Sequence, residues 1–201
     1  MTQKQFVKKL LCWGNENQRI FPWHKTKNPF YILIAEMMLQ KTDAEKVAKI
    51  YPRFIKKYKT PYLLARADIR KLRKDLHYLG IHARAERMKK TAEKIEKQFR
   101  GKVPQDKKSL LLFPGVGPYI ANAVLCFAFD KDVSLVDTNV IKILEKFLNI
   151  KSTQKRARND HALWKRVQKM IPPGRGKLFN RSIIDLSAFM RFRKQTPKIF
   201  T

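Results

Sequence analysis

Residues 110–128 read Leu-Leu-Leu-Phe-Pro-Gly-Val-Gly-Pro-Tyr-Ile-Ala-Asn-Ala-Val-Leu-Cys-Phe-Ala. The apolar end of one predicted helix leads into Gly115-Val116-Gly117, and the apolar spacing from Pro118 onward predicts a second helix. Proline suits the first turn of a helix, and glycines let the backbone turn tightly between two helices. The stretch is therefore predicted to form a helix-hairpin-helix, in which the amides at the start of the second helix can bind a phosphate.

The charge of the chain predicts a polyanionic partner. Lys plus Arg number 45 and Asp plus Glu 16 among 201 residues, a net charge of +29 that far exceeds what solubility requires. The basic residues are spread along the chain, and 44% hydrophobic residues with 13 Phe favour a folded basic surface over disorder. A nonspecifically basic protein, such as a ribosomal one, is the alternative on charge alone.

The sequence shows no secretory or membrane signal. It has no signal-peptide pattern and no apolar run near the roughly 18 residues that a membrane span needs. We therefore expect an intracellular protein without membrane association, cytoplasmic in a prokaryote or nuclear in a eukaryote.

Hydrophobic periodicity predicts an all-α chain. An extended connector is predicted over 21–29, and helices over 3–14, 30–40, 43–58, 61–75, 82–99, 138–149, 160–171 and 178–190. Cys12 and Cys126 lie in apolar helical patterns and are expected to be reduced core residues. Two cysteines are too few for a cysteine-ligated metal, so no metal site is predicted.

A family resemblance begins at the hairpin. Phe113-Pro114-Gly115-Val116-Gly117, followed by Tyr119 and Asp137, resembles the helix-hairpin-helix and later aspartate of the endonuclease III and MutY superfamily of DNA glycosylases, called HhH-GPD. The stretch from Ala35 to Thr42 is similar to the same family, and the archaeal G·T thymine mismatch glycosylases are the most similar members. The resemblance implies a single glycosylase unit of two helical lobes with a catalytic cleft between them. The hairpin-bearing lobe would cover residues 24–130, and the second lobe 1–23 plus 131–201.

The resemblance implies catalytic roles for Asp137, Tyr119 and Glu36. Base removal passes through an oxocarbenium-like transition state that needs a nearby negative charge and a water, and Asp137 would serve both needs. An Asp before an apolar helix is also an ordinary N-cap, and the two roles are compatible. Glu36 interrupts an apolar helix, where a carboxylate is costly unless it is paired, lies at an edge or is used. Bifunctional relatives carry a lysine at the position of Tyr119, and because tyrosine cannot form a Schiff base, strand cleavage is not expected.

Further residues are predicted to contact DNA. By resemblance, Gln40 would enter the space left by a flipped nucleotide, and Ile81 and His82 would wedge into the duplex. Lys41 and Arg84 are expected to bind phosphates. Each of these residues also has an ordinary interpretation as a helix-end polar group, a packing residue or a solvated charge. The full predicted DNA-binding set is Gly115, Val116, Gly117, Gln40, Lys41, Ile81, His82 and Arg84.

These features together predict a monofunctional, monomeric DNA glycosylase of base excision repair. It would flip and hydrolytically remove a mispaired base from double-stranded DNA, with thymine or uracil opposite guanine as the preferred substrate. The alternatives are a MutY-like adenine glycosylase acting on A·oxoguanine or A·G, and a noncatalytic DNA-binding module. Relatives usually carry a four-cysteine [4Fe–4S] site after the last core helix, whereas Arg191 and Ile199 stand at the corresponding positions, so no iron–sulfur cluster or other cofactor is expected.

Overall fold

The structure, a computed structural model, describes residues 1–80, 83–154 and 159–201, and these form helices and no β-strand. The all-α class predicted from periodicity is therefore confirmed. Short 3₁₀ turns lie at Pro22–Lys25, His77–Leu79 and Lys198–Phe200. The α-helices are α1 (Gln3–Asn17), α2 (Pro29–Leu39), α3 (Ala44–Lys57), α4 (Pro61–Ala65), α5 (Ile69–Leu76), α6 (Ala83–Phe99), α7 (Lys107–Leu110), α8 (Pro118–Phe129), α9 (Thr138–Leu148), α10 (His161–Met170) and α11 (Gly176–Arg193).

Side-chain caps decide where several helices begin. The Asn28 side chain accepts hydrogen bonds from the Phe30 and Tyr31 amides, so α2 begins directly after it. The single helix predicted over 61–75 is in fact two helices. Thr60 caps α4, and Asp68 caps α5 by accepting from the Lys71 amide, so the chain turns between them.

The chain divides into two compact units. The hairpin unit is the continuous segment Ile20–Phe129, and the terminal unit combines Met1–Arg19 with Asp130–Thr201. The hairpin unit begins a few residues before the expected boundary near residue 24. Trp23 accounts for the difference, because it is 6% exposed and packs edge-on against Tyr51 at a ring distance of 5.6 Å.

Helix α2 forms the centre of the hairpin unit. Its side chains from Phe30 to Met38, apart from Tyr31, are at most 6% exposed. The helix packs against α3, α6 and α8, and all three present apolar side chains to it. Burial of this apolar area is the main stabilising contribution in the unit. The end of α2, which carries Gln40, is thereby held in place relative to the hairpin before α8.

The terminal unit is built where both ends of the chain meet. Helix α1 packs along α11, and α9 packs against α11 as well. We predicted that Gly14 would end the first helix, but α1 continues to Asn17. Gly14 is buried, and a Cβ there would overlap the Ser182 side chain. This glycine therefore permits close contact of two helices and does not break one.

An aromatic cluster secures the C-terminal segment of the terminal unit. Phe200 is 6% exposed and lies 5.9 Å from Phe6 and 5.1 Å from Phe147, measured between ring centroids. Apolar packing therefore holds this segment in the terminal unit. Of the cysteines, Cys126 is buried as predicted, but Cys12 is exposed, because it lies on the outer face of α1.

Candidate active site

The hairpin has the geometry that its glycines predict. Gly115 has a φ of +82°, which L side chains rarely adopt, and the Val116 amide donates to the Phe113 carbonyl at 3.0 Å. The Val116 side chain is only 6% exposed, so it anchors the turn in the core. Any contact of Val116 with DNA would have to come from its backbone. Gly117 has open space where a Cβ would be, so a ligand can approach the backbone there.

Gln40 lies at the end of α2 and is bonded to the hairpin. Its Nε2 donates to the Gly115 carbonyl at 2.7 Å, across 75 residues of sequence. The next residue, Lys41, has a φ of +53° and an exposed side chain. The structure thus brings two predicted DNA-contact sites, the α2 end and the hairpin, into direct contact within one unit.

Arg84 is buried, whereas a phosphate contact requires an exposed side chain. The side chain is 2% exposed, and its guanidinium donates to carbonyls inside the hairpin unit. Burial lowers its pKa to about 10, because desolvation disfavours the charged form. The predicted phosphate contact is therefore corrected: Arg84 is an interior residue whose two terminal nitrogens donate to backbone carbonyls, while its buried Nε has no hydrogen-bond partner. The predicted wedge residues Ile81 and His82 lie outside the residues that the structure describes.

Glu36 is a buried carboxylate on α2. It is 6% exposed, and its neighbours in sequence, Ala35 and Met37, are 0% and 1% exposed. A carboxylate in such an environment is a typical functional-site feature, because burial and nearby groups control its charge. The burial matches the expectation, while the catalytic role stays a prediction. Tyr119 lies in the first turn of α8, two residues after Gly117, and is half-buried.

Asp137 caps α9 in the terminal unit. Its Oδ1 accepts from the Val140 amide at 2.8 Å, and its Oδ2 accepts from Asn139 Nδ2 at 3.0 Å. These two bonds orient the carboxylate, and because an ionised carboxylate has about four acceptor positions, it can still accept from a water. The side chain is half-buried and hence accessible. The N-cap role is observed, and it is compatible with catalysis.

Sequence reasoning missed two supporting residues. Asn139 holds one oxygen of Asp137, and its place two residues after that aspartate was the available signal. Thr42 accepts from Arg84 Nη2 at 2.9 Å and lies 3.2 Å from the Leu79 carbonyl. The Leu79 contact spans 37 residues, so no local pattern could indicate it.

The described parts of the chain contain no group of three or more His, Cys, Asp or Glu side chains that could hold a metal ion. No helix among those residues is long and apolar enough to span a membrane.

Comparison with known proteins agrees with this geometry. Residues 34–169 match a sequence family described as HhH-GPD superfamily base excision DNA repair protein. The thymine/uracil-DNA glycosylase of Methanothermobacter thermautotrophicus is 34% identical over 189 residues, which are 94% of this chain and 85% of that protein. The thymine-DNA glycosylase of Aeropyrum pernix is 38% identical over 169 residues, 83% of this chain and 76% of that protein.

A solved structure is also similar. A thermostable thymine-DNA glycosylase matches with a TM-score of 0.85 and 34% sequence identity, over 92% of this chain and 86% of that one.

Proposed function

The chain belongs to the HhH-GPD superfamily of base excision DNA repair proteins, and we propose that it removes thymine or uracil mispaired with guanine. That it is a DNA glycosylase, a hydrolase of N-glycosyl bonds, follows from its family and its similarity to glycosylases over nearly its whole length. The base, its partner in the mismatch and the details of the reaction are the parts that we propose.

One observation carries the choice of a pyrimidine substrate. The similarity to the thymine/uracil-DNA glycosylase named above covers 94% of this chain and 85% of that protein, so it includes every described site residue and both units.

The proposed reaction starts with extrusion of the mispaired base. A mispaired base costs less to unstack than a paired one, which supplies part of the selectivity. Asp137 then stabilises the positive charge that develops on the sugar and orients the attacking water. Its hydrogen bonds to the Val140 amide and the Asn139 side chain keep the carboxylate in one orientation during this step. Glu36, buried on α2, would line the base pocket.

We further propose that the enzyme leaves the strand intact and works as a monomer without a cofactor. Tyr119 has no amine with which to form a Schiff base. The sequence contains two cysteines, whereas a [4Fe–4S] cluster requires four thiolates. Aromatic packing of Phe200 against Phe6 and Phe147 holds the C-terminal segment.

Single-turnover excision assays on a panel of duplexes test this function. The panel carries G·T, G·U, A·oxoguanine and A·G, and each reaction is analysed with and without alkali. We expect release of thymine and uracil, with strand breaks that appear only after alkali treatment.

Three other results would contradict the proposal. Release of adenine from A·oxoguanine or A·G would identify a MutY-like activity. Strand breaks without alkali would show lyase chemistry by a lysine outside the described site. Duplex binding without release of any base would leave the noncatalytic module as the explanation.

A further inference from the structure

Three stretches of the hairpin unit that are distant in sequence share one hydrogen-bond network. Arg84 Nη2 donates to the Gln40 carbonyl at 2.7 Å, and Nη1 donates to the Leu79 carbonyl at 3.1 Å. The Gln40 side chain in turn donates to the Gly115 carbonyl at 2.7 Å. The buried Arg84 side chain thereby joins the end of α2 to the Leu79-Gly80 turn, and the Gln40 side chain joins the end of α2 to the hairpin.

The charge of Arg84 is stabilised by the dipoles of backbone carbonyls and a hydroxyl group. Among the described residues, no acidic side chain forms an ion pair with it. Its main partner is the Gln40 carbonyl at the C-terminal end of α2, where the helix dipole is negative and favours a cation. The planar guanidinium has five N–H donors in a fixed arrangement, so one side chain can hold two separate backbone segments at a set distance.

Thr42 completes the network. Its hydroxyl accepts from Arg84 Nη2 at 2.9 Å and lies 3.2 Å from both the Gln40 and the Leu79 carbonyls. A hydroxyl has one hydrogen, so it can donate fully to only one of these carbonyls at a time. Arg84 therefore binds the α2 end and the Leu79-Gly80 turn at the same time, whereas the Thr42 hydroxyl adds a hydrogen bond to one of the two carbonyls at a time.

We propose that Arg84 is a positioning residue, which holds the end of α2 and the Leu79-Gly80 turn in one fixed arrangement and, through Gln40, keeps the hairpin in register with them. The proposal rests on the proposed function, because the end of α2 and the hairpin carry predicted DNA-contact residues and the Leu79-Gly80 turn directly precedes the predicted wedge residues Ile81 and His82 in sequence. Arg84 then acts before DNA arrives: it makes the surface preformed, so binding does not have to order three separate segments.

Loss of the Arg84 side chain is expected to slow the chemical step more than it changes phosphate binding. A misplacement of about 1 Å in a reacting geometry can reduce a rate by about 100-fold. Loss of a side chain that neutralises one phosphate instead lowers the salt slope, meaning the absolute value of the slope of log K against log salt concentration, by about 0.9. Substituting a positioning residue should therefore lower the excision rate at an unchanged salt slope, whereas substituting a phosphate contact should lower the salt slope.

The first experiment compares Arg84→Met, Lys97→Met and Lys41→Met by duplex binding across a range of salt concentrations and by single-turnover excision at saturating enzyme. Lys97 is exposed near the end of α6, roughly 20 Å along the helix from Arg84, and controls for loss of one charge. Lys41 is exposed beside Gln40 and is the predicted phosphate contact.

We expect Arg84→Met to reduce the excision rate by about 100-fold with the wild-type salt slope, and Lys41→Met to lower the slope by about 0.9. A slope lowered equally by Arg84→Met would overturn the proposal.

Two milder variants cover the case in which Arg84→Met does not fold. Thr42→Val keeps the shape of the side chain and the Arg84 charge but removes the hydroxyl, and it should reduce the excision rate by about 10-fold without changing the salt slope. Arg84→Lys keeps a cation at the site, but burial lowers the pKa of an ammonium readily. Its excision rate should therefore fall from pH 7 to pH 9 relative to wild type, which keeps its guanidinium charged over that range. Wild-type rates and pH profiles in both variants would overturn the proposal.

Failure of the proposed function is distinguishable from failure of this inference. If the wild-type protein releases no base from any duplex, the proposed function is wrong. The role of Arg84 is then decided by binding alone: weaker affinity with an unchanged salt slope supports positioning, and wild-type affinity contradicts it.

Discussion

At the scale of a single residue, the Asp137 carboxylate has two roles: it caps α9, and it is proposed to stabilise positive charge on the sugar. One oxygen caps α9 through the Val140 amide, and the other accepts from Asn139. Caps of this kind contribute about 1 kcal/mol to stability. Because capping needs only an acceptor oxygen whereas charge stabilisation needs an ionised group, the two purposes can be separated by substitution.

Asp137→Asn should abolish excision while the fold is kept. Asparagine is as good an N-cap as aspartate, so stability should change by less than about 0.5 kcal/mol, but the single-turnover rate should fall by about 10²–10⁴-fold. Asp68→Asn is the matched control, because Asp68 caps α5 in the same way and is exposed. Thermal denaturation, duplex binding and base release are measured for both. Normal excision by Asp137→Asn would remove Asp137 from the mechanism.

Tyr119→Lys should introduce strand cleavage. A lysine amine near the start of α8 could attack the sugar and form a Schiff base, which borohydride traps as a covalent protein–DNA adduct. Tyr119→Phe is the control, since it keeps the ring and provides no amine. We expect trapped adduct and alkali-independent breaks only for the lysine variant. An adduct formed by the wild-type protein would show that a different amine is already in reach.

At the scale of the element, glycine is present at the two hairpin positions for different physical reasons. Gly115 has a φ of +82°, and a Cβ there would lie 2.9 Å from Arg87 Cδ. Gly117 has nothing within 4 Å of such a Cβ. The first glycine is required by the fold, whereas the second leaves room for a ligand.

Alanine substitutions at these glycines should separate folding from DNA binding. Gly115→Ala places an L residue in the left-handed region, which costs about 1–2 kcal/mol and lowers Tm by several degrees. Gly117→Ala should leave Tm within a degree or two of wild type but weaken duplex binding, because the methyl group fills the space beside the backbone. Differential scanning calorimetry and binding titrations check both results. Wild-type affinity of Gly117→Ala would contradict a phosphate contact at that position.

At the scale of the whole molecule, the terminal unit depends on contacts between the two ends of the chain. Arg19 Nε donates to Asp185 Oδ1 at 2.7 Å, and the Arg19 amide donates to Oδ2 at 3.2 Å, across 166 residues. Burial raises the pKa of Asp185 above its usual value, and the bonds from Arg19 only partly offset this. A carboxyl whose folded pKa is raised stabilises the fold most when protonated, and that contribution is lost as pH rises through the folded pKa.

Arg19→Met should destabilise the protein more at neutral pH than in acid. At pH 7 the substitution leaves the Asp185 carboxylate, 5% exposed, without its hydrogen-bonded cation, although Arg181 still favours the charged form. The cost should lie at or below the lower end of roughly 3–5 kcal/mol, because the Arg19 side chain is 29% exposed. Near pH 4.5 Asp185 becomes protonated more readily in the variant, so the difference in Tm from wild type should shrink. Thermal denaturation from pH 4.5 to 7.5 measures this, and a difference that grows in acid would contradict the assigned role of the pair.

Much of the fold and the local structure around several candidate site residues were predictable because their signals are local. The positive φ of Gly115, the capping position of Asp137 and the burial of α2 each follow from a few consecutive residues. The errors occurred where contacts between distant segments overrode local patterns. Gly14 was predicted to end a helix but lies buried in α1 because Ser182 packs against it.

The sequence alone determined the helical class, the hairpin and the basic character of the chain, because periodicity, turn residues and charge are properties of neighbouring residues and of composition. The resemblance of its motifs indicated the DNA glycosylase family. Only the tertiary structure decided the burial of Arg84, the exposure of Cys12 and the network that joins Gln40, Leu79 and Gly115. The physical reason is that a side chain's burial and hydrogen-bond partners depend on segments tens of residues away. A basic residue predicted to meet solvent and phosphate can therefore be an interior support of the same surface.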